Sequence, residues 1–338
     1  MDPVTALAVG VAVLAISSSG PLIAYAAAPA LAIAFWRNAL SVGVLAPAAL
    51  ARRRAELASL LRGPHRRAGL ACALAGVALA LHFGTWVPSV KLTSVATATA
   101  LVATQPVWQG LIAHGQGRRL PATTWAGIGA AVLGAVLATG ADFSVSARAV
   151  VGDLLALAGA VAAAGYTALG ERARASASTT SYTTICYAVC ALLLGGACLA
   201  AGVPLRGFDA STWLAIAGLT LGAQLLGHSL FNYALHRLRA TTISVLVLLE
   251  VPGAALIAWA WLGQAPRPAA LPGLALLLSG VLLVVVRPAT QARGVLRRRV
   301  GPRDQTSTYP PVRQYQPASR DISPSSTRYR RSDTQSGS

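Results

Sequence analysis

In the stretch ISVLVLLEVPGAALIAWAWLG, running from Ile243 to Gly263, Glu250 is the only charged side chain. An ionised side chain at the centre of a spanning helix costs roughly 2.5–3.5 kcal/mol, so such a residue faces the bundle interior. Burial in a low dielectric favours the protonated carboxyl, which makes Glu250 a candidate proton site. The alternative is a neutral, hydrogen-bonded structural glutamate. Arg37, in FWRNAL, is the only basic residue well inside an apolar run. Counted at 1.5 Å per residue, it sits about 9 Å below one boundary and Glu250 about 14 Å above the other. In a core of about 30 Å the axial gap is then roughly 7 Å, which an arginine side chain spans if the helices adjoin. Arg37 is expected either to pair with Glu250, the pair being opened by a substrate carboxylate or a proton, or to snorkel to the headgroups.

Thr220, Gln224, His228 and Asn232 recur every four residues and form one polar stripe. In lipid such a stripe must face protein or water, so it lines a cavity or bonds neighbouring helices. Gln105 and Gln109 form a shorter one, and His82 has Trp86 one turn on. Trp36, Trp86, Tyr166 and Tyr182 are candidate aromatic walls suited to organic cations or aromatic substrates, or else interfacial belt residues. His82, His228 and Glu250 are also the groups a membrane enzyme would use as acid and base. The sequence holds no Gly-rich phosphate loop, metal-ligand set or nucleophile elbow, so no cofactor and no catalytic residue is expected.

The elements that position these groups follow from composition. Of 338 residues, 55% are hydrophobic and 11% charged, against about 25% charged in soluble domains. Residues 287–338 hold eleven arginines and three aspartates, leaving 24 charged residues in the first 286. A chain so poor in charge reads as an integral membrane protein. Its net charge of +18 is not read as nucleic-acid binding, because no recognition module accompanies it. Cys72, Cys186, Cys190 and Cys198 lie in apolar runs and are expected to be small core residues. The segment ahead of the first apolar run, MDP, lacks Lys and Arg, which argues for a retained first helix over a signal peptide.

Ten segments meet the length of about 20 apolar residues for a span: 4–28, 31–51, 68–88, 94–114, 123–140, 150–170, 181–202, 211–235, 241–262 and 270–286. Basic residues alternate between the connections. Twelve arginines in the 2–3, 4–5, 6–7 and 8–9 loops join the eleven of the tail on one side, against Lys91, Arg148, Arg206 and Arg267 on the other. Positive charge stays inside, so both termini are expected in the cytoplasm.

Shifting the chain by 146 residues aligns it with itself without a gap. His82 falls on His228, Lys91 on Arg237, Pro106 on Pro252, Gly127 on Gly273, Gly134 on Gly280 and Trp36 on Tyr182. Each unit then holds five spans, an odd number, so the copies sit upside down relative to each other, the build of many secondary transporters. Thr104 stands opposite Glu250, so the acid breaks the symmetry near the midplane.

The stretches AIAFWRNAL, LTSVATATALVATQPVW and LRATTISVLVLLEVPGAALIAWAWLG, with WAGIGAAVLGAVLATG and LPGLALLLSGVLLVVV closing the repeats, resemble the drug/metabolite transporter superfamily, in particular its ten-helix EamA-type permeases. The resemblance covers about residues 4–286 and implies a polytopic permease, commonly an exporter of amino acids, metabolites or drugs, with a central cavity between the repeats. Two departures stand out. The LGE that often follows spans 4 and 9 is here HGQGRR and WLGQ, and the usual EP is Glu250-Val251-Pro252.

The expected fold is all-α and membrane-integral. It has an EamA-like repeat over residues 1–141, a second over 150–286, and a disordered basic tail over 287–338 facing anionic headgroups. The expected function is secondary transport of a small organic molecule by alternating access, outward across the inner or plasma membrane, with protons as candidate coupling ion. Partners are the substrate and membrane lipids, with the protein a monomer or homodimer. Uptake, lipid or lipid-linked flipping, and a non-transporting scaffold acting through the tail are the rivals.

Overall fold

The computed structural model describes residues 2–93, 95–139, 146–253, 256–257 and 268–286. The tail and the end of the ninth expected span lie outside the described residues, whose regular elements are all helices, with no strand. Among the described residues, seven helices are long and apolar enough to cross a membrane: Pro3–Tyr25, Ala30–Arg52, Arg66–Leu92, Ala147–Arg174, Thr179–Ala200, Ala210–Ala234 and Pro268–Val285. Shorter helices occupy the other three expected spans. Leucines on the outer faces stand in the open, Leu192, Leu199 and Leu214 at 74–76% exposure, as a lipid-facing surface requires.

The elements in order are α1 (Pro3–Ser17), α2 (Ser19–Tyr25), α3 (Ala30–Arg52), α4 (Arg54–Arg62), α5 (Arg66–Leu92), α6 (Val95–Val102), α7 (Gln105–Gly115), α8 (Ala122–Thr139), α9 (Ala147–Arg174) and α10 (Thr179–Ala200). Then come α11 (Ala210–Gly218), a π-helical stretch (Leu219–His228), α12 (Ser229–Ala234), α13 (Ala240–Val247) and, after a 3₁₀ turn, α14 (Leu271–Val286). Starts are capped as their sequences specify. The Asp2 carboxylate accepts from the Thr5 N–H at 3.0 Å, and the Asp209 carboxylate from the Thr212 N–H at 2.7 Å. Helix α4 was not among the expected elements. Its leucines, Leu57 and Leu60, are buried, and a Cβ on Gly69 would lie 1.9 Å from the Leu60 carbonyl, so α4 lies hard against the start of α5.

Among the described residues three helices are broken, and each break lies four residues before a proline. Proline has no N–H for the carbonyl four residues back and its ring crowds that carbonyl. Pro21 thus ends α1 at Ser17, Pro106 ends α6 at Val102, and Pro252 acts on Leu248, the cap of α13. Helical backbone resumes at 250–253. Pro47 and Pro88 lie inside α3 and α5 without interrupting them.

Helices α8 and α14 run antiparallel along a glycine seam. A Cβ on Gly134 would lie 2.7 Å from the Gly273 carbonyl, and one on Gly127 would lie 3.0 Å from the Gly280 carbonyl. Under the 146-residue shift Gly127 maps to Gly273 and Gly134 to Gly280, so each of these contacts maps onto the other. Helix α5 packs on α9 through Gly152 and Gly159. The four cysteines are free and buried, as expected of core residues.

Candidate functional site

All three proline breaks open onto one cavity of about 90 Å³, several times the roughly 10–15 Å³ needed by one water. The first break contributes Ile16 and Ser19, the second Val102, Ala103 and Gln105, the third Val247, Leu248, Glu250 and Val251. Helix α5 adds His82 and Trp86, α9 adds Ala163, Tyr166 and Thr167, and the π-helix and α12 add His228, Phe231 and Asn232. Broken helices bring backbone dipoles to the middle of a bundle, where a continuous helix offers only side chains.

Its polar groups are held in defined orientations. His82 Nδ1 lies 2.9 Å from the Gly159 carbonyl oxygen. A carbonyl only accepts, so Nδ1 carries the proton and the neutral ring keeps its lone pair on Nε2. The His82 ring stacks on Trp86 with centroids 5.8 Å apart and planes 5° from parallel. His228 stands edge-on to Phe83 at 5.5 Å and to Tyr166 at 6.2 Å. The Tyr166 hydroxyl lies 2.9 Å from Asn232 Oδ1 and 2.7 Å from its Nδ2, locking α9 to α12. Gln105 Nε2 donates to Thr167 Oγ1 at 3.1 Å. The Glu250 carbonyl accepts from Ser17 Oγ at 3.4 Å, which ties the first break to the third.

Of the residues singled out by sequence, Glu250, His82, Trp86, Gln105, Tyr166, His228 and Asn232 therefore share the cavity. Arg37 neither pairs with Glu250 nor snorkels. It is 0% exposed, donates from Nε to Gln224 Oε1 at 3.0 Å, and lays its guanidinium 4.2 Å over the Phe83 ring. The axial count left a gap of roughly 7 Å between Arg37 and Glu250, within an arginine's reach, but Gln224 and Phe83 hold the guanidinium just behind the cavity wall. Gln224 in turn donates to Asn38 Oδ1 at 2.9 Å, so it serves Arg37 and not the cavity surface. Trp36 lies elsewhere, donating from Nε1 to the Leu205 carbonyl at 2.7 Å beside Trp213. Tyr182 is fully buried against Gly170. Ser19 and Thr167 line the cavity without having been singled out. For Ser19 the signal was there, since it stands just ahead of the helix-breaking Pro21.

At the bundle end where α9 finishes, three polar ties each join a residue below 141 to one above 150. Arg118 grips Glu171 with a shortest contact of 2.8 Å, Asp2 meets Arg237 at 2.9 Å, and Glu56 accepts from the Ser178 N–H at 2.6 Å. The Glu56 carboxyl, though disfavoured as an anion by burial, is held below its ordinary range by hydrogen bonds from Ser178 and Ser181 and by Arg53.

An all-helical bundle with several membrane-length helices, broken around a largely apolar cavity into which a few polar side chains converge, suits a membrane carrier. The chain belongs to the EamA-like transporter family, whose model matches residues 4–140 and again 150–286. A solved crystal structure shares the fold at a TM-score of 0.69 and 22% identity, covering 87% of this chain and 99% of the other. No curated protein matches the chain. It is thus a multi-pass membrane protein of a transporter family in the drug/metabolite transporter superfamily.

Proposed function

We propose that the protein is a ten-helix secondary transporter built from two inverted repeats, 1–141 and 150–286, which exports a small organic molecule by alternating access. The observation that carries this reading is the convergence of three proline-broken helices on one cavity that holds Glu250. Two of the breaks, near Val102 and Leu248, are repeat equivalents under the 146-residue shift. The antiparallel seam of α8 and α14 supports the inversion, because equivalent final helices run in opposite directions only if their repeats do. Rocking one repeat against the other opens the cavity to each side in turn.

Glu250 is the coupling residue in this reading. Loading or releasing its proton changes the charge of the cavity, and His82, His228, Gln105, Tyr166 and Asn232 orient the substrate beside Trp86. Arg37 and Gln224 support the wall, with Trp36 and Tyr182 serving packing. Basic loops and tail face the cytoplasm, where anionic headgroups meet them, and the three ties then form the closed cytoplasmic end. Flux into proteoliposomes across a panel of metabolites and drugs, with and without a pH gradient, tests the proposal. Solute movement above protein-free vesicles is expected, and its absence across the panel overturns it.

A further inference from the structure

The interior holds a full positive charge that, among the described residues, makes no ion pair. Arg37 is 0% exposed, and among the described residues none of its nitrogens lies within 4.0 Å of a carboxylate oxygen. Its Nε is taken by Gln224, its Nη1 lies 3.5 Å from Ser19 Oγ, and its Nη2 has no hydrogen-bond partner among the described residues. Neutral acceptors and the Phe83 ring orient a guanidinium without cancelling its charge, and arginine does not release its proton in proteins. A buried charge in that position calls for a counter-charge within reach.

The ionisable groups packed around Arg37 and the cavity are His82 of α5, Tyr166 of α9, Tyr187 and Cys190 of α10, His228 of the π-helix, and Glu250. Glu250 is the only carboxyl among them. Glu250 therefore sets the net charge, which is zero when it is ionised and one positive when it is protonated with both histidines neutral. Ser19 connects the two regions. It lines the cavity, its oxygen faces Arg37 Nη1, and its own O–H has no acceptor among the described residues. A cavity ligand can take that proton in a hydrogen bond, with the guanidinium directly behind.

We propose that this cavity binds a monovalent organic anion together with one proton, the proton on Glu250 and the anionic group against Ser19 with Arg37 behind it. The ionised carboxylate of Glu250 and the ligand's anionic group compete for one positive charge, so the anion enters when Glu250 is protonated and leaves when it is not. The loaded and empty cavities then carry the same charge, and movement of anion plus proton is electroneutral. The parallel faces of His82 and Trp86 supply a flat wall for an aromatic ligand body. This deepens the transport reading and rests on it for direction and turnover, but not for binding.

Benzenesulfonate binding to the full chain in detergent, titrated from pH 5 to 9, tests the proposal. The probe stays ionised throughout, so any pH dependence belongs to the protein. Wild type should bind it more tightly as pH falls, by up to tenfold per unit where Glu250 titrates. Glu250→Gln should bind at the low-pH affinity at every pH, and Arg37→Gln should lose at least tenfold. If Arg37→Gln does not fold, the Glu250→Gln arm decides alone. Wild-type binding indifferent to pH, weaker binding by Glu250→Gln, or preference for benzyltrimethylammonium overturns the assignment. Proteoliposome flux separates the two readings. Flux of some solute without benzenesulfonate binding sinks the anion assignment alone, whereas pH-dependent binding without any flux upholds it and removes transport.

Discussion

Arg37 Nε donates to Gln224 Oε1 over 3.0 Å, and Gln224 Nε2 donates to Asn38 Oδ1 over 2.9 Å, so one amide holds a buried charge and anchors α3 to the π-helix. Replacing Gln224 by Leu leaves the guanidinium, which is fully buried, with one fewer acceptor. Gln224→Leu should destabilise the protein by about 2–3 kcal/mol, read by thermal unfolding in detergent. Trp36→Phe, which loses the bond to Leu205 and trims the ring contact with Trp213, both away from the cavity, should cost about 1–2 kcal/mol and leave flux unchanged.

The glycine seam makes a sharper steric prediction. A Cβ at Gly134 would lie 2.3 Å from the Leu277 backbone nitrogen, whereas one at Gly129, on the same helix, meets nothing within 4 Å. Gly134→Ala should force α8 from α14 and cost about 1–3 kcal/mol. Gly129→Ala should be neutral or stabilising by up to about 1 kcal/mol, because helix propensity is then the main change. Unfolding curves of the two variants side by side check this.

Arg118 contacts both Glu171 oxygens, at 2.8 Å and 3.1 Å from Nη1, with a third contact of 3.2 Å from Nη2. Glu171→Arg should lower the unfolding midpoint, and adding Arg118→Glu should recover part of the loss. A coupling of about 1 kcal/mol is expected for so partly exposed a pair. Additive losses in the double-mutant cycle would show that the two residues do not act together.

Asp2 carries a defined pH signature. Hydrogen bonds from the Thr5 hydroxyl and backbone N–H, with Arg237 nearby, hold its carboxyl well below the usual range. A carboxyl depressed in the folded state adds stability above its unfolded value of about 3.9, and that contribution fades as pH falls below it. The difference in unfolding midpoint between wild type and Asp2→Asn should therefore be flat from about pH 5 to 8 and shrink below about pH 4.

Much of this was legible in the sequence because lipid removes alternatives. Apolar runs between arginine-bearing loops located the helices, and Pro106 and Pro252 marked equivalent positions where two of them break. The polar positions Thr220, Gln224 and His228 of the π-helix had to face protein or water, and Thr220 and Gln224 are buried while His228 lines the cavity. Axial counting cannot give the rotation of a helix about its axis. Arg37 and Glu250 were thus read as within reach along the axis, while Gln224 and Phe83 decide where the guanidinium goes. Trp36, read either as a cavity aromatic or as an interfacial belt residue, lies away from the cavity, where its indole N–H meets the carbonyl of Leu205. The π-helix left no mark in the residue pattern, since spacing of four suits an ordinary helix equally well.

The most direct test of a proton-coupled carrier compares wild type with Glu250→Gln in proteoliposomes, using a solute that the flux panel identifies. Under an imposed pH gradient wild type should concentrate the solute above its equilibrium level, while Glu250→Gln should exchange it but only equilibrate. Wild-type accumulation indifferent to the gradient, or equal accumulation by Glu250→Gln, would contradict the role assigned to Glu250.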